Sequence, residues 1–374
     1  MSWDAVIGQS RAKNILRSAI RRNRLAHAYL FVGPEGVGTD AAAVELARVV
    51  NCERRADEAC GACASCRAVA EGRHPDVHFI VALPAGKGEK SGDDPLAKVS
   101  DEEVGIIREE LSRKAANPYH TQEIPRATSI KINSVRHMRM EASRTLFGQG
   151  KRVFILFSAE MLSDEAGNAL LKILEEPHEG TMLILTTAHP TQLLPTIVSR
   201  CQQIQFDPAS AGEIAGALAG REHLPPEDAA LIAELSAGSY GRAIELNGPA
   251  VADRRNDAVA FLRAALYKTN RELLDEIDRL QSAYERAGII ELLAILESWL
   301  RDAHFIAEGA AAMQSGLDRQ TVEKFAAHHT VVSYDRVFDA LASAISLLGK
   351  NVYISLVLIT LALDLRKAIH PANL

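Results

Sequence analysis

Short hydrophobic runs alternate with amphipathic stretches over roughly the first two hundred positions of the chain. Five of these runs are predicted to be β-strands: AYLFV, VHFIV, RVFILF, MLILTT and CQQIQF, at 28–32, 77–81, 152–157, 182–187 and 201–206. The intervening stretches have helical periodicity, as in DEAGNALLKILEE, which follows the capping residue Ser163. Strands that alternate with helices predict an α/β domain with a mostly parallel sheet.

The pattern becomes entirely helical after residue 208. Short helices are predicted first, and a longer helical region follows. Its last segment, VYISLVLITLALDLRKAI, is apolar around most of its circumference, which predicts a buried central helix of a bundle or an oligomer interface. Asn351, Ser355 and Asp364 interrupt that segment and argue against a membrane span.

A long polar segment interrupts the α/β region between residues 83 and 128. It is rich in Gly, Lys, Asp and Pro (LPAGKGEKSGDDPLAKV), with one helix predicted near Asp101 to Lys114. So little apolar content predicts an insertion on the surface that is mobile at its ends. It can be a species-specific contact or a tolerated excursion, and we favour the excursion.

Composition and charge narrow the class of protein. With 47% hydrophobic and 24% charged residues, the chain is an ordinary globular protein, neither disordered nor fibrous. A net charge of −6 does not suggest a protein that coats DNA by itself. The start of the chain lacks a secretory signal, so we expect a soluble, cytoplasmic protein. A set of basic residues can form part of a DNA-facing surface or simply a solvated face: Arg136, Arg139, Arg144, Lys151 and Arg152.

Four of the five cysteines are clustered in the segment NCERRADEACGACASC. In a cytoplasmic protein, two successive C-x-x-C steps indicate a metal site rather than disulfides. A tetrahedral structural Zn²⁺ site in a knuckle at 52–66 is therefore predicted, with the ligands Cys52, Cys60, Cys63 and Cys66. Incidental buried thiols are the weaker alternative. His74 can replace one ligand, although His74-Pro75-Asp76 is better explained as a turn.

A glycine loop, GPEGVGTD, lies between the first predicted strand and an alanine-rich helix. It follows the phosphate-loop pattern G-x-x-x-x-G-K-[ST] at its glycines, Gly33, Gly36 and Gly38. Thr39 and Asp40 occupy the Lys and Ser/Thr positions of that pattern. The backbone frame of a nucleotide site is predicted, but the side chains that bind phosphate and Mg²⁺ are missing.

Several motifs occur in a characteristic order: WDAVIGQSRAKNILRSAI, LAHAYLFVGPEGVG, HPDVHFI, NALLKILEEP and LPTIVSRCQQIQF. With the cysteine knuckle, they closely resemble the bacterial clamp-loader branch of the AAA+ proteins from about residue 2 to residue 243. The C-terminal helices match this family only in kind and position. The resemblance implies an AAA+ core at 1–208, a helical lid at 209–250 and a helical collar for oligomerisation at 251–374.

Departures from the family pattern indicate a subunit that does not hydrolyse ATP. The motor subunits of the family, gamma and tau, need the missing Lys and Thr, and also an Asp-Glu pair where this chain has Phe157 and Ser158. Without them, neither the phosphates nor the Mg²⁺ and attacking water would be held. Glu160 is a poor replacement. We therefore expect the site to be empty or to bind ATP only weakly.

The resemblance also assigns a role to Arg200 in the segment VSRC. It matches the arginine that loader subunits project into the ATP site of a neighbour, although a salt-bridged surface arginine is the alternative. Arg242 and the pair Thr186 and Thr187 match sensor positions, with local contacts as an equal alternative. The partners implied are the gamma and tau motor subunits, the delta subunit and, through the complex, the sliding clamp and primer–template DNA.

Two other functions are weighed against this interpretation. A divergent gamma or tau motor subunit would retain ATPase activity, which the phosphate loop and the Phe157-Ser158 pair oppose. A scaffold subunit of another AAA+ assembly, such as a DNA-repair ring, would not require the cysteine knuckle or the NALLKILEEP and VSRC segments.

Overall fold

The computed structural model describes residues 3–54, 56–86, 88–90, 92–247, 249–309, 319–329, 331–350 and 352–370. The chain divides into two compact units, of which the first comprises Met1–Glu213 with Gly238–Arg242, and the second comprises Ile214–Ala237 with Ala243–Leu374. The finer predicted division of the helical part into 209–250 and 251–374 stays a prediction.

A five-stranded parallel sheet forms the centre of the first unit. Its strands are β1 (Ala28–Val32), β2 (Val77–Ile80), β5 (Arg152–Leu156), β6 (Thr181–Thr187) and β7 (Gln202–Gln205). Across the sheet they follow the order β2-β5-β6-β1-β7. Strands β1, β5 and β6 are buried at every position, as their continuous hydrophobic runs require when helices cover both faces. The predicted parallel α/β fold is confirmed, with each predicted strand present to within two residues at its ends.

Helices and a small hairpin complete the first unit. The short strands β3 (Leu83–Pro84) and β4 (Ala127–Ser129) pair antiparallel at the two ends of the insertion. The helices are α1 (Ser10–Arg21), α2 (Thr39–Val50), α3 (Ala64–Ala70), α4 (Asp101–Ala116), α5 (Ile132–Ala142), α6 (Asp164–Glu175) and α7 (Pro195–Val198). The Ser163 hydroxyl accepts a hydrogen bond from the Ala166 amide and caps α6, as predicted.

The insertion is packed more tightly than its composition predicts. Ser100 and Glu103 form a reciprocal capping box that begins α4. Further along this helix, Ile107 and Ala115 are buried. The other positions of α4 are mostly exposed, so this helix lies at the surface with one face packed against the unit, and the use of the insertion stays a prediction.

Every regular element among the described residues of the second unit is a helix. It contains α9 (Pro226–Leu235), α11 (Pro249–Tyr267), α12 (Asn270–Ala283), α13 (Arg286–Ala307), α14 (Arg319–His328), α15 (Tyr334–Gly349) and α16 (Ile354–Ile369). Helices α8 (Ala211–Arg221) and α10 (Tyr240–Leu246) each contain a boundary between the units. The core of the second unit is formed mainly by α11, α13, α15 and α16.

The last helix, α16, buries one face and exposes another. Leu358, Leu361 and Leu365 lie in the core of the second unit. On another face, Leu356 is 57% exposed and Leu363 is 43% exposed. The helix thus combines a buried face with an exposed apolar face. Both predictions, a central helix of a bundle and an oligomer interface, remain compatible with it. Among the described helices, none has the length and apolar character needed to cross a membrane.

Candidate functional site

The glycine loop has the geometry of a strand–turn–helix phosphate loop. It leaves β1 at Gly33, whose amide donates to the Thr187 carbonyl at 3.1 Å. Gly36 and Gly38 have φ values of 71° and 112°, a region that disfavours side chains, and α2 begins directly afterwards. The predicted backbone frame is therefore present, with the first turn of α2 facing the space above the loop.

An ion pair occupies the end of this loop. The Asp40 carboxylate lies 2.7 Å from the ammonium group of Lys114, whose side chain is only 4% exposed. Lys114 comes from α4 in the insertion, and its ammonium also donates to the His120 carbonyl at 2.8 Å. The same group lies 5.2 Å from the centre of the Phe157 ring. Thus the cation at this loop is supplied by the insertion and is already bound to protein groups.

Tyr119, from the same insertion, closes a second side of the loop. Its hydroxyl accepts a hydrogen bond of 2.8 Å from the Ile7 amide. A Cβ atom added at Gly38 would lie only 3.0 Å from that hydroxyl, so the two residues are in close contact. The ring packs edge-on against Tyr240, with ring centres 4.9 Å apart. Tyr119 is buried as a result.

The remaining cavity above the loop is small, and both polar and apolar atoms line it. Its volume is about 130 Å³, against about 300–1,000 Å³ for typical ligand pockets. Ser158, Glu160, Thr186 and Thr187 line it with the loop residues. Among the described residues, no group forms a hydrogen bond with the Glu160 Oε2 atom, although that atom is buried. Glu160 therefore faces the site more directly than the sequence suggested.

The four clustered cysteines form one compact group. Their sulfur atoms all lie within 4.8 Å of one another, and among the described residues this is the one group of metal-ligating type. The members are Cys52, Cys60, Cys63 and Cys66. Cys63 caps α3 and Cys66 lies within it, so a helix start fixes two of the sulfurs. This cluster can hold a metal ion.

Backbone donors prepare the sulfurs for a cation. The Cys60 amide donates to the Cys52 sulfur at 3.4 Å, and the Cys63 amide donates to the Cys60 sulfur at 3.3 Å. Amides of Ala62 and Cys63 lower the pKa of Cys60 to about 6, because they stabilise its thiolate. His74 stands outside the group, and its Nδ1 atom accepts from the Asp76 amide in the predicted turn.

Helix α1 holds the tip of the cysteine knuckle. Arg17 contacts Asp57 at 3.0 Å and Glu58 at 2.6 Å, and Arg21 contacts Asp57 at 2.7 Å. The indole N–H of Trp3 donates to the Asp57 carbonyl at 2.8 Å. These contacts fix the knuckle on the α/β unit from outside the metal-ligating group.

Arg200 lies at the surface, just beyond the short helix α7. Its Nη2 atom is 2.7 Å from the Glu175 carboxylate at the end of α6, and both side chains are partly exposed, at 37% and 49%. The Nη1 atom donates to the Thr196 carbonyl at 3.1 Å. The next residue, Cys201, is buried, which anchors the backbone beneath the exposed guanidinium.

Comparison with known proteins identifies the family. The family model described as "DNA polymerase III, delta subunit" matches residues 8–210, more than half of the chain. The chain belongs to this family. Within it, the similar curated proteins include delta-prime subunits and also tau subunits, so the predicted resemblance to the clamp-loader branch is confirmed.

Two relatives of the family are named DNA polymerase III subunit delta-prime. The one from Bacillus subtilis strain 168 is 30% identical over 260 residues, which cover 70% of this chain and 63% of the relative. The one from Pseudomonas aeruginosa PAO1 is 33% identical over 253 residues, covering 66% and 63%. A tau subunit from the same Bacillus strain is 29% identical over 255 residues, covering 67% of this chain and 38% of tau. The chain thus spans less than two thirds of the length of either delta-prime relative.

The basic residues proposed for a DNA-facing surface differ in their burial and in their ion pairs. Arg152 is buried and lies 2.6 Å from the buried carboxylate of Asp76, so its assignment to such a surface is wrong. Arg144 is paired with Glu141 at 2.7 Å, whereas Arg136 and Arg139 lie exposed on α5. A buried arginine is needed here because Asp76 precedes β2 inside the unit.

The site contains residues that sequence reasoning did not find. They are Lys114, which pairs with Asp40, and Tyr119, which lies against Gly38. The third is Glu175, which pairs with Arg200. Tyr119 carried a signal, since it is an aromatic residue in a segment otherwise poor in apolar residues. Lys114 and Glu175 carried none, because charged residues on helices are usually solvated.

Proposed function

We propose that this chain is the delta-prime-type subunit of a bacterial clamp loader and that it does not hydrolyse ATP. The observation that carries the proposal is the Asp40–Lys114 ion pair of 2.7 Å at the phosphate loop. A motor subunit needs a free cation against the β- and γ-phosphates, and here Asp40 engages the cation itself.

In this proposal Arg200 acts on a neighbouring subunit. Its exposed guanidinium is bound to a surface carboxylate and a carbonyl, both of which a phosphate could replace. An arginine supplied in trans stabilises charge on the transferring phosphoryl group and contributes about 10³–10⁵ in rate. The anchored Cys201 beneath it fixes the point from which the side chain reaches out.

The cysteine cluster is proposed to hold one structural Zn²⁺ ion. Four thiolates satisfy the tetrahedral preference of Zn²⁺ and leave no open coordination position for catalysis. The ion would then stabilise the knuckle, which α1 holds through Asp57 and Glu58. Our proposal gives the metal no part in ATP chemistry.

The proposed partners are the gamma and tau motor subunits, the delta subunit and, through the assembled loader, the sliding clamp and primer–template DNA. In the second unit, the exposed apolar face of α16 offers a surface for collar assembly. A cytoplasmic location belongs to the same proposal, because replication takes place there in bacteria.

Reconstitution of the loader tests the proposal. The DNA-stimulated ATPase rate is measured with wild-type chain, Arg200→Ala and Arg200→Lys, and the isolated chain serves as the control. We expect no activity from the isolated chain and a lower rate from both variants, since lysine cannot provide the bidentate geometry. Activity of the isolated chain would favour a motor subunit instead. Failure to co-purify with a motor subunit and sliding clamp would favour a different AAA+ assembly.

A further inference from the structure

The insertion places one short segment, 114–122, against the phosphate loop. Lys114 binds Asp40 at the start of α2, and the Tyr119 hydroxyl binds the Ile7 amide. Pro118, Thr121 and Gln122 line the remaining cavity. Thus side chains of the chain itself occupy the sides of the site where a ligand would approach the glycines.

This segment is held rigidly by the helix that precedes it. The buried Glu110 carboxylate binds the His120 ring at 2.9 Å and the Glu123 amide at 2.9 Å. The Asn117 side chain accepts from the Tyr119 amide at 3.1 Å. Because these bonds close a loop immediately after α4, Tyr119 is positioned before any ligand arrives.

These contacts pair polar groups that lie close to the phosphate loop. A buried amide such as that of Ile7 needs an acceptor, and Tyr119 provides one. A carboxylate next to the phosphate site would repel a nucleotide, and Lys114 neutralises it. The cavity left over, about 130 Å³, is below the range of sites for drug-sized ligands.

We propose that residues 114–122 are a built-in substitute for nucleotide, whose side chains exclude ATP and ADP from the phosphate loop. In this arrangement Tyr119 narrows the space beside Gly38, and Lys114 neutralises the Asp40 carboxylate. The segment is a fixed structural part of the α/β unit and is not displaced by ATP or ADP. This inference concerns the folded chain alone, and it does not depend on Arg200 or on assembly into a loader.

Titration calorimetry with MgADP on the full chain tests the substitution. The variants are T39K/D40T, which restores the loop, K114A/Y119A, which empties the site, and the combination of all four changes. We expect the wild type and T39K/D40T to show no MgADP binding up to about 1 mM. The combined variant should bind MgADP with a Kd at least roughly tenfold below that concentration. Circular dichroism and the metal content of each variant confirm that it is folded.

A milder variant covers the case in which the multiple substitutions unfold the chain. Tyr119→Phe removes a single hydroxyl group, so the Ile7 amide loses its acceptor. We expect faster hydrogen exchange in the segment that contains Ile7 and a Tm lower by roughly 2–4 °C. Tyr353→Phe is the matched control, since Tyr353 is 81% exposed; its Tm should not change.

Two results would overturn the inference. The first is MgADP binding by T39K/D40T as tight as that of the combined variant, because the segment would then be no obstacle. The second is MgADP binding by wild-type chain with deprotection of residues 114–122, because the segment would then be a displaceable lid. Neither result bears on the loader ATPase assay, so a failure here and a failure of the proposed function can be told apart.

Discussion

The Arg200 guanidinium lies 2.7 Å from the Glu175 carboxylate, at the surface of the α/β unit. Both partners are partly exposed, so the pair contributes only about 0–1 kcal/mol to stability. It nevertheless holds an arginine that, under the proposed function, must reach a phosphate on another subunit. Assembly would then have to break this pair.

The first prediction follows from that competition. Glu175→Gln should leave the free energy of unfolding unchanged within about 0.5 kcal/mol and should tighten binding to the motor subunit by up to about fivefold. Surface plasmon resonance with the immobilised motor subunit measures the binding, and Glu176→Gln is the neighbouring control. Weaker binding of Glu175→Gln would show that Glu175 supports the arginine rather than restrains it.

Removal of the metal should make the four clustered cysteines reactive and leave the fifth, Cys201, unreactive. Burial raises the pKa of Cys201 to about 12, so its thiolate is scarce at pH 8. We expect chelation to expose the four clustered thiols to a thiol reagent, whereas Cys201 reacts only after unfolding. Elemental analysis of the untreated chain should give one zinc ion.

Two serine variants check this division. Cys63→Ser should lower the zinc content and destabilise the knuckle, whereas Cys201→Ser should keep its zinc. Loss of zinc from Cys201→Ser, or full retention by Cys63→Ser, would contradict the proposed ligand set.

The buried Arg152–Asp76 pair predicts a large effect on stability. Arg152→Ala would leave the Asp76 carboxylate buried and uncompensated, so the free energy of unfolding should fall by about 3–5 kcal/mol. Arg139→Ala, at an exposed position on α5, should change it by less than about 0.5 kcal/mol. Urea denaturation measures both variants. Equal stabilities would mean that water reaches Asp76 in solution.

The exposed face of α16 predicts a variant that is folded but unable to assemble. Leu356→Glu combined with Leu363→Glu adds charge to an apolar surface, so co-purification with the motor subunits should be lost while the Tm is retained. Leu274→Glu on α12, where Leu274 is 46% exposed, is the matched control. Normal assembly of the double variant would place the collar contact on another helix.

Local patterns predicted the sheet and the cysteine cluster because each depends on residues close together in the chain. Strand β1 is five consecutive buried residues, and two steps of C-x-x-C bring three of the sulfurs together within one turn and a helix start. The contacts of Tyr119 and Lys114 could not be predicted in the same way. Tyr119 meets Ile7 across 112 positions of sequence, and a polar composition gives no indication of such a contact.

Arg152 is another residue whose environment could not be predicted from its neighbours in the sequence. Its sequence neighbours include Arg144 and Lys151, which favoured a basic surface. Its position as the first residue of β5 instead turns it towards Asp76, before β2. A charge next to a strand can be assigned to surface or interior only when its partner on the adjacent strand is known.

The Asp40–Lys114 pair also constrains how this protein can evolve. Replacing Asp40 alone would leave a buried ammonium without its partner, and replacing Lys114 alone would leave a carboxylate beside the glycines. Each single step towards an active phosphate loop therefore lowers stability before it brings any gain, and the two positions are energetically coupled. A return to ATP binding would therefore require several substitutions to arrive together.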